Sequence, residues 1–224
     1  MQLKVHGAIL SPWVRRLVAT LEIKGVEHEI IPLNPMGNTD PDFKAKSPLG
    51  KIPILEVDGR FMPDSLAACA FLEKTFPTPA LFPEDPWELG WMHWLCDYLA
   101  TGVFSKVEAP LFFQRFIRPV FQQAEPDQTL IDEALAIMPE YFDYLERQLE
   151  GDKSFLVGRR LSLADLSAGS IFINFRHAGV EIDAAKWPAL AAYVSRLHAL
   201  PAFAKIIEMD RKLIGAVSPM FATA

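Results

Sequence analysis

Hydrophobic and polar positions change their period repeatedly along the first third of this chain. Between Gln2 and Ala8, Leu3, Val5 and Gly7 alternate with Lys4 and His6, the period-two pattern of a half-buried strand. At Ser11-Pro12 the period lengthens. Trp13, Leu17 and Leu21 recur at helical spacing and Lys24-Gly25 supplies an exit, so a helix is predicted from Pro12 to about Lys24. Glu27 to Leu33 returns to strand character and closes a strand-helix-strand unit, whose crossover is expected to be right-handed. Asn34 to Ser47 reads as a loop with a short helix. Ile52 to Val57 is apolar and β-branched, Asp58-Gly59 favours a tight hairpin turn, and Arg60-Phe61-Met62 is predicted to return as the antiparallel neighbour. Pro63-Asp64-Ser65 then precedes the apolar run Leu66 to Leu72, which predicts a helix with Ser65 as its N-cap.

From Phe76 to Pro86 the chain has four prolines and no helical period, the signature of a linker. Residues 1–77 are therefore expected to form one domain, 78–86 the connection and 87–224 a second domain. Beyond Trp87 an aromatic stripe of Trp91, Trp94 and Tyr98 continues at helical spacing towards Phe121, and Pro110 and Pro119 are expected to kink or split it. A second long helix is predicted from Gln128 to Leu149. Pro139 lies inside it, where proline costs about 3 kcal/mol, so a kink or two separate pieces are expected. Ser162 and Asp165 have the spacing of a capping box with Asp in place of Glu, and Leu161 and Leu166 occupy the flanking apolar positions. Trp187-Pro188 and Pro201 open two more helices, and Lys212 to Ala224 reads as a tail of small and apolar residues. No strand pattern recurs after the linker, so the second domain is expected to be all-α.

Composition narrows the function classes. Half of the 224 residues are hydrophobic, enough to bury one large or two modest cores. The sequence has no apolar run of about 18 residues and its start lacks a signal-peptide core, which predicts a cytoplasmic protein without a membrane partner. Cys69 and Cys96 sit singly in helical patterns and read as buried small hydrophobes. The five histidines show no metal-ligand spacing, so no metal is expected. A formal charge of −6 argues against nucleic acid. That charge is unevenly distributed. Residues 1–77 hold nine Lys/Arg against nine Asp/Glu, leaving thirteen against nineteen for the remainder. Arg15, Arg16, Lys44, Lys46 and Lys51 of the neutral part cluster near the candidate site, although solvated surface charge is the ordinary reading for most of them.

The chemistry concentrates in two stretches. The first is Ser11-Pro12, where Ser is either a plain helix cap or a hydroxyl donor at a helix N-terminus. The second is Lys51 to Ser65. Pro53 stands where a strand begins, and a cis Ile52-Pro53 bond would aim the Ile52 backbone out of the sheet. The helix start at Asp64-Ser65 suits a carboxylate, and Asp64 offers a negative charge to an adjacent ammonium, the combination carried by an α-amino acid head group.

Gly-Lys-Ile-Pro, a short hairpin and then Asp-Ser-x-Ala resembles the glutathione-binding half of the glutathione transferase superfamily. Ser-Pro-Trp resembles the signature at which serine- and cysteine-type members carry the activating residue, with Trp13 departing from the usual Phe or Tyr. Ser162-x-x-Asp165 resembles the structural cap of the family's helical domain. The resemblance implies a thioredoxin-like α/β N-terminal domain followed by an all-α C-terminal domain. It also implies a cis Pro53, backbone pairing of Ile52 with the cysteinyl part of glutathione, and Asp64 and Ser65 on its γ-glutamyl group. Lys44, Lys46 or Lys51 would meet the glycine carboxylate, Lys51 alone lying within the matched motif. Ser11 is the candidate catalytic residue, and Lys51, Ile52, Pro53, Asp64 and Ser65 the candidate binding residues. Glutathione is the implied co-substrate and the second substrate a small hydrophobic electrophile. A homodimer is the expected assembly. Phe104, Phe112, Phe113 and Phe116 can line an apolar pocket, but in a helical domain such residues are more often core. Conjugation, peroxide reduction and isomerisation all remain compatible with these residues, as does a non-catalytic binding or regulatory module of the same fold.

Overall fold

The computed structural model describes residues 1–33, 40–151 and 153–217. The expected loop at 34–39 and the last residues of the expected tail lie outside them. The chain divides into two compact units, Met1–Phe82 and Pro83–Ala224.

In the first unit a four-stranded sheet has the order β2-β1-β3-β4, formed by β1 (Leu3–Gly7), β2 (Glu29–Pro32), β3 (Ile54–Val57) and β4 (Arg60–Pro63). β1 runs parallel to β2 and antiparallel to β3, and β3 pairs antiparallel with β4. The β3–β4 turn has Asp58 at φ 48 and Gly59 at φ 79, the two positive values that match the twist of a hairpin. Alternation decides the faces of β1: Leu3 and Val5 are buried, while Lys4 and His6 on the other side both reach Glu56 of β3, His6 Nε2 at 2.6 Å. The His6 hydrogen bond holds the Glu56 carboxyl below its ordinary range against the opposing effect of burial.

Helices α1 (Pro12–Ile23) and α3 (Ser65–Thr75) pack on each other and bury Val14, Leu17, Val18 and Leu21 together with Ala68, Cys69 and Leu72. Down the same contact runs a polar seam. Arg16 Nη2 donates to Ser65 Oγ at 2.6 Å, Thr20 Oγ1 lies 3.3 Å from Cys69 Sγ, and Lys24 Nζ pairs with Glu73 Oε2 at 2.8 Å. Both members of each rung advance by four residues, so the two helices run parallel with their N-termini at one end. Thr20 Oγ1 also donates to the Arg16 carbonyl at 2.9 Å. At the lower rung Lys24 also donates to the carbonyls of Phe76 and Pro79, and Glu73 accepts from the Leu81 and Phe82 N–H groups. Thr78–Pro79 is a second cis bond, in the stretch that Lys24 ties down. Arg16 and Lys24 are thus buried rather than solvated, and so is Arg15.

The second unit is helical. Its first helix begins as α4 (Pro86–Asp97), capped by the Asp85 side chain on Glu88 N–H, and continues unbroken to Phe121. It alternates π-helical stretches at Tyr98–Glu108 and Phe113–Ile117 with α5 (Ala109–Phe112) and α6 (Arg118–Phe121), and Pro110 and Pro119 lie in the short α-helical pieces that directly follow each π-helical stretch. Of the expected kink or split, a split does not occur at Pro110 or Pro119: each follows directly on a stretch of wider turns within one helical run. Pro139 likewise lies within a single α7 (Gln128–Gln148) rather than between two pieces. Of the aromatic stripe, Trp94 is 44% exposed while Trp91 and Tyr98 are half-buried, and Trp87 just before it is 78% exposed. Phe116, by contrast, is fully buried.

The core of this unit is α8 (Leu163–His177), buried from Leu163 to Phe175. Phe142 of α7 meets Phe172, Phe175 and Trp187 with ring centroids 5.5, 5.4 and 5.1 Å apart. At its N-terminus Asp165 is fully enclosed. Oδ2 accepts from the Ser162 N–H and hydroxyl at 2.7 and 2.8 Å, and Oδ1 from Leu156 N–H and Tyr193 Oη at 2.9 and 2.7 Å. Burial pushes the Asp165 carboxyl upward and these four donors oppose it. Two further helices follow, α9 (Pro188–His198) and α10 (Pro201–Val217). Helix α10 runs on past Lys212, where a tail was expected. Among the described residues no helix is long and apolar enough to cross a membrane.

Ser162→Ala removes one donor from a buried carboxylate and is expected to lower stability to urea by about 1–2 kcal/mol while leaving ligand affinity of the folded protein unchanged. Altered affinity at full folding would count against a purely structural cap.

Candidate active site

The register of the sheet gathers the candidate residues. Ile54, the first residue of β3, pairs with His6 near the end of β1 and with Pro63 at the end of β4. The chain therefore leaves β1 towards Ser11, enters β3 through Ile52-Pro53 and leaves β4 towards Asp64-Ser65 at the same end of the sheet. The parallel α1 and α3 begin at that end too, so the partial positive charges of two helix N-termini face one region.

Ser11 is the N-cap of α1, with Pro12 as the first helical residue. Its backbone is extended, as a cap requires, and its side chain makes no capping hydrogen bond. The hydroxyl is half-buried and is not committed to the helix. Gly7, just upstream, allows the close approach of three segments: a Cβ there would lie 2.5 Å from Val14 Cγ2 and 3.6 Å from Ile52 Cβ.

The Ile52–Pro53 bond is cis. Both side chains are buried, and Ile52 precedes the strand ladder that starts at Ile54. A turn fixes the approach. Ser47 Oγ donates to the Lys51 carbonyl at 2.7 Å and accepts from the Lys51 N–H at 3.1 Å, while Gly50 N–H bonds the Ser47 carbonyl at 2.8 Å. Gly50 has φ +66, the left-handed region that favours glycine, and Lys44 Nζ lies against it, one residue before the exposed Lys51. Lys46 of α2 (Pro41–Lys46) is drawn to the Phe61 ring instead, 4.5 Å from its centroid.

At the start of α3 the structure corrects one expectation. The N-cap is Asp64, not Ser65: Asp64 Oδ1 accepts from the N–H groups of Leu66 at 2.7 Å and Ala67 at 3.1 Å. A carboxylate one residue earlier reaches two helical donors, and Ser65 becomes the first helical residue, buried against α1. Both cap bonds use Oδ1, so Oδ2 is not engaged by the cap. Asp64 holds φ 76 and ψ 126, outside the regions that a residue with a Cβ ordinarily occupies, at a cost of about 1–3 kcal/mol.

Two features escaped the sequence reading. The contact of Arg16 with Ser65 had one signal, the polar Arg16, Thr20 and Lys24 at steps of four along α1 and its C-cap. The conformation of Asp64 had none.

Comparison with known proteins agrees with this geometry. The family model for the glutathione S-transferase N-terminal domain matches residues 10–75, and that for the C-terminal domain matches residues 109–201. A probable glutathione S-transferase GSTF2 of Oryza sativa subsp. japonica is 31% identical over 92% of this chain and 96% of its own length. Maleylacetoacetate isomerase of Rattus norvegicus is 26% identical over 84% of each chain. Among solved structures, glutathione S-transferase-I bound with lactoylglutathione superposes with a TM-score of 0.81 at 25% identity, covering 93% of this chain and 100% of that one. The chain belongs to the glutathione S-transferase superfamily. Its first unit is the thioredoxin-like domain of that fold and its second the helical domain.

Asp64→Asn separates capping from charge, since Asn and Asp cap helices about equally. Stability to urea is expected to change by less than about 1 kcal/mol, whereas affinity for a ligand bearing an ammonium group, with glutathione as the probe, should fall about tenfold in calorimetric titration. Equal affinities would remove Asp64 from ligand binding.

Proposed function

We propose that this protein is a glutathione S-transferase in which Ser11 activates the thiol of bound glutathione for attack on small hydrophobic electrophiles. The observation that carries the reading is the Ser11 hydroxyl, which stands at a helix N-terminus and is not used in capping the helix. A free thiol of this kind has a pKa near 8.5 and is mostly protonated at neutral pH. A hydroxyl donor and the α1 dipole favour the thiolate, the nucleophilic form. Glutathione would lie across the end of the sheet, with the backbone of Ile52 before Pro53 against its cysteinyl part. Asp64 and Ser65 would hold the γ-glutamyl head group, and Lys51 with Lys44 the glycine carboxylate. The family membership and the lactoylglutathione-bound relative support this ligand.

The similarity to maleylacetoacetate isomerase supports a second reading, glutathione-dependent isomerisation. Stoichiometry separates the two: conjugation consumes one thiol per turnover, and isomerisation returns it. Counting free thiol against product formed over a panel of electrophiles decides between them. A protein that binds glutathione and turns over no member of the panel would be the non-catalytic module.

Ser11→Ala keeps Pro12 and the helix start but removes the hydroxyl. Glutathione affinity should change little, the pKa of the bound thiol should rise, and turnover at pH 7 should fall by about ten- to a hundredfold, with partial recovery at higher pH. Lower stability with unchanged activity per folded molecule would make Ser11 a plain cap.

The expected assembly is a homodimer, a reading supported by the exposed Trp87 and Trp94 of α4, since soluble monomers seldom leave large apolar surfaces uncovered. Sedimentation equilibrium at micromolar concentration should return twice the chain mass. A monomer there would refute it.

A further inference from the structure

The upper rung of the α1–α3 seam lies where the proposed γ-glutamyl site begins. Arg16 is buried, and its guanidinium donates to the oxygen of a Ser65 hydroxyl that is itself buried. A guanidinium has only donors. The Ser65 oxygen is therefore the acceptor in this bond, and its single proton is left to donate to something else. Asp64 caps the N–H groups of Leu66 and Ala67, so the cap does not use the Ser65 N–H one position earlier. Two donors of Ser65, hydroxyl and backbone, stand next to a buried cation at the meeting point of two helix N-termini. Every one of these features selects for an anion.

Trp13 fixes the guanidinium from the other side. Arg16 Cζ lies 4.7 Å from the centroid of its ring, and an indole face attracts a cation more strongly than the Phe or Tyr usual at this position of the signature. The side chain is thereby held between an aromatic face and an acceptor oxygen. Arg16 thus has a fixed orientation as well as a charge.

We infer that Trp13 and Arg16 form a positioning pair that makes Ser65 a dedicated donor to the α-carboxylate of the ligand's γ-glutamyl group. Arg16 acts through Ser65 and is not a catalytic residue. The pair sets specificity for a head group that carries both charges, with Asp64 opposite the ammonium. The inference rests on the glutathione-binding reading and adds to it which residues distinguish the carboxylate from the amine.

Two analogues of glutathione test it. In 4-aminobutyryl-cysteinyl-glycine the α-carboxylate is missing, and in glutaryl-cysteinyl-glycine the amine. Calorimetric titration of the wild-type protein with glutathione and both analogues gives two affinity ratios, and the same ratios are measured for Arg16→Lys and Trp13→Phe after circular dichroism has established folding. Arg16→Lys should shrink the preference for glutathione over the carboxylate-free analogue by about tenfold, the effect of one charge-assisted hydrogen bond, and leave the amine ratio unchanged. Trp13→Phe should shrink the same ratio by a smaller factor, and it carries the test if Arg16→Lys fails to fold. Steady-state rates should show KM for glutathione rising by more than kcat falls. Ratios that stay constant, or that change equally for both analogues, would reduce the pair to a structural brace and overturn the inference. Glutathione failing to bind the wild-type protein would overturn the underlying reading instead, together with this one.

Discussion

The constraint on which the first unit depends is the matched pitch of two parallel helices. Arg16, Thr20 and Lys24 meet Ser65, Cys69 and Glu73 at equal intervals, so one rotation and one translation of α3 against α1 satisfy all three rungs together. Apolar packing alone tolerates small slides between helices, because it is not directional. Buried polar rungs do not, since a displaced member would leave a charge or a donor without its partner at a cost of several kcal/mol. The seam thereby aligns the two helix starts with the end of the sheet. The lower rung extends the same control to the chain beyond α3, whose carbonyls and N–H groups are collected by Lys24 and Glu73.

The second unit obtains its order from a different source. Asp165 occupies the start of a helix buried along nearly its whole length, and its two oxygens collect four donors from Leu156, Ser162 and Tyr193. Three separate stretches of chain are fixed relative to α8 by one carboxylate. Around it the rings of Phe142, Phe172, Phe175 and Trp187 fill space without further hydrogen bonds between them. Ahead of Pro110 and Pro119 the backbone widens its turns, and the helical run does not break there.

What was legible in the sequence is what short-range rules determine. The Asp58-Gly59 hairpin, the helix start at Ser11-Pro12 and the Ser162–Asp165 cap depend on residues within a few positions of one another. What was not legible depends on partners far along the chain. Ser65 has the composition of a cap, but Arg16, forty-nine residues away, claims its hydroxyl, and the neighbouring Asp64 takes the cap. Arg16 reads as a surface charge until the seam supplies a buried acceptor. The prolines at 110, 119 and 139 do not divide their helical runs, an outcome that local propensity alone does not decide. Candidate residues named from motifs were gathered at one end of the sheet by strand register, which no local pattern encodes.

Asp64 draws these threads to an evolutionary point. Its backbone sits where glycine would be at ease, and glycine caps a helix nearly as well as aspartate. A selection that scores only resistance to heat would accept glycine at this position. One that scores capture of a charged head group would reject it. On the proposed reading, residue 64 is where those two pressures pull apart, because the backbone favours one residue type and the head group another.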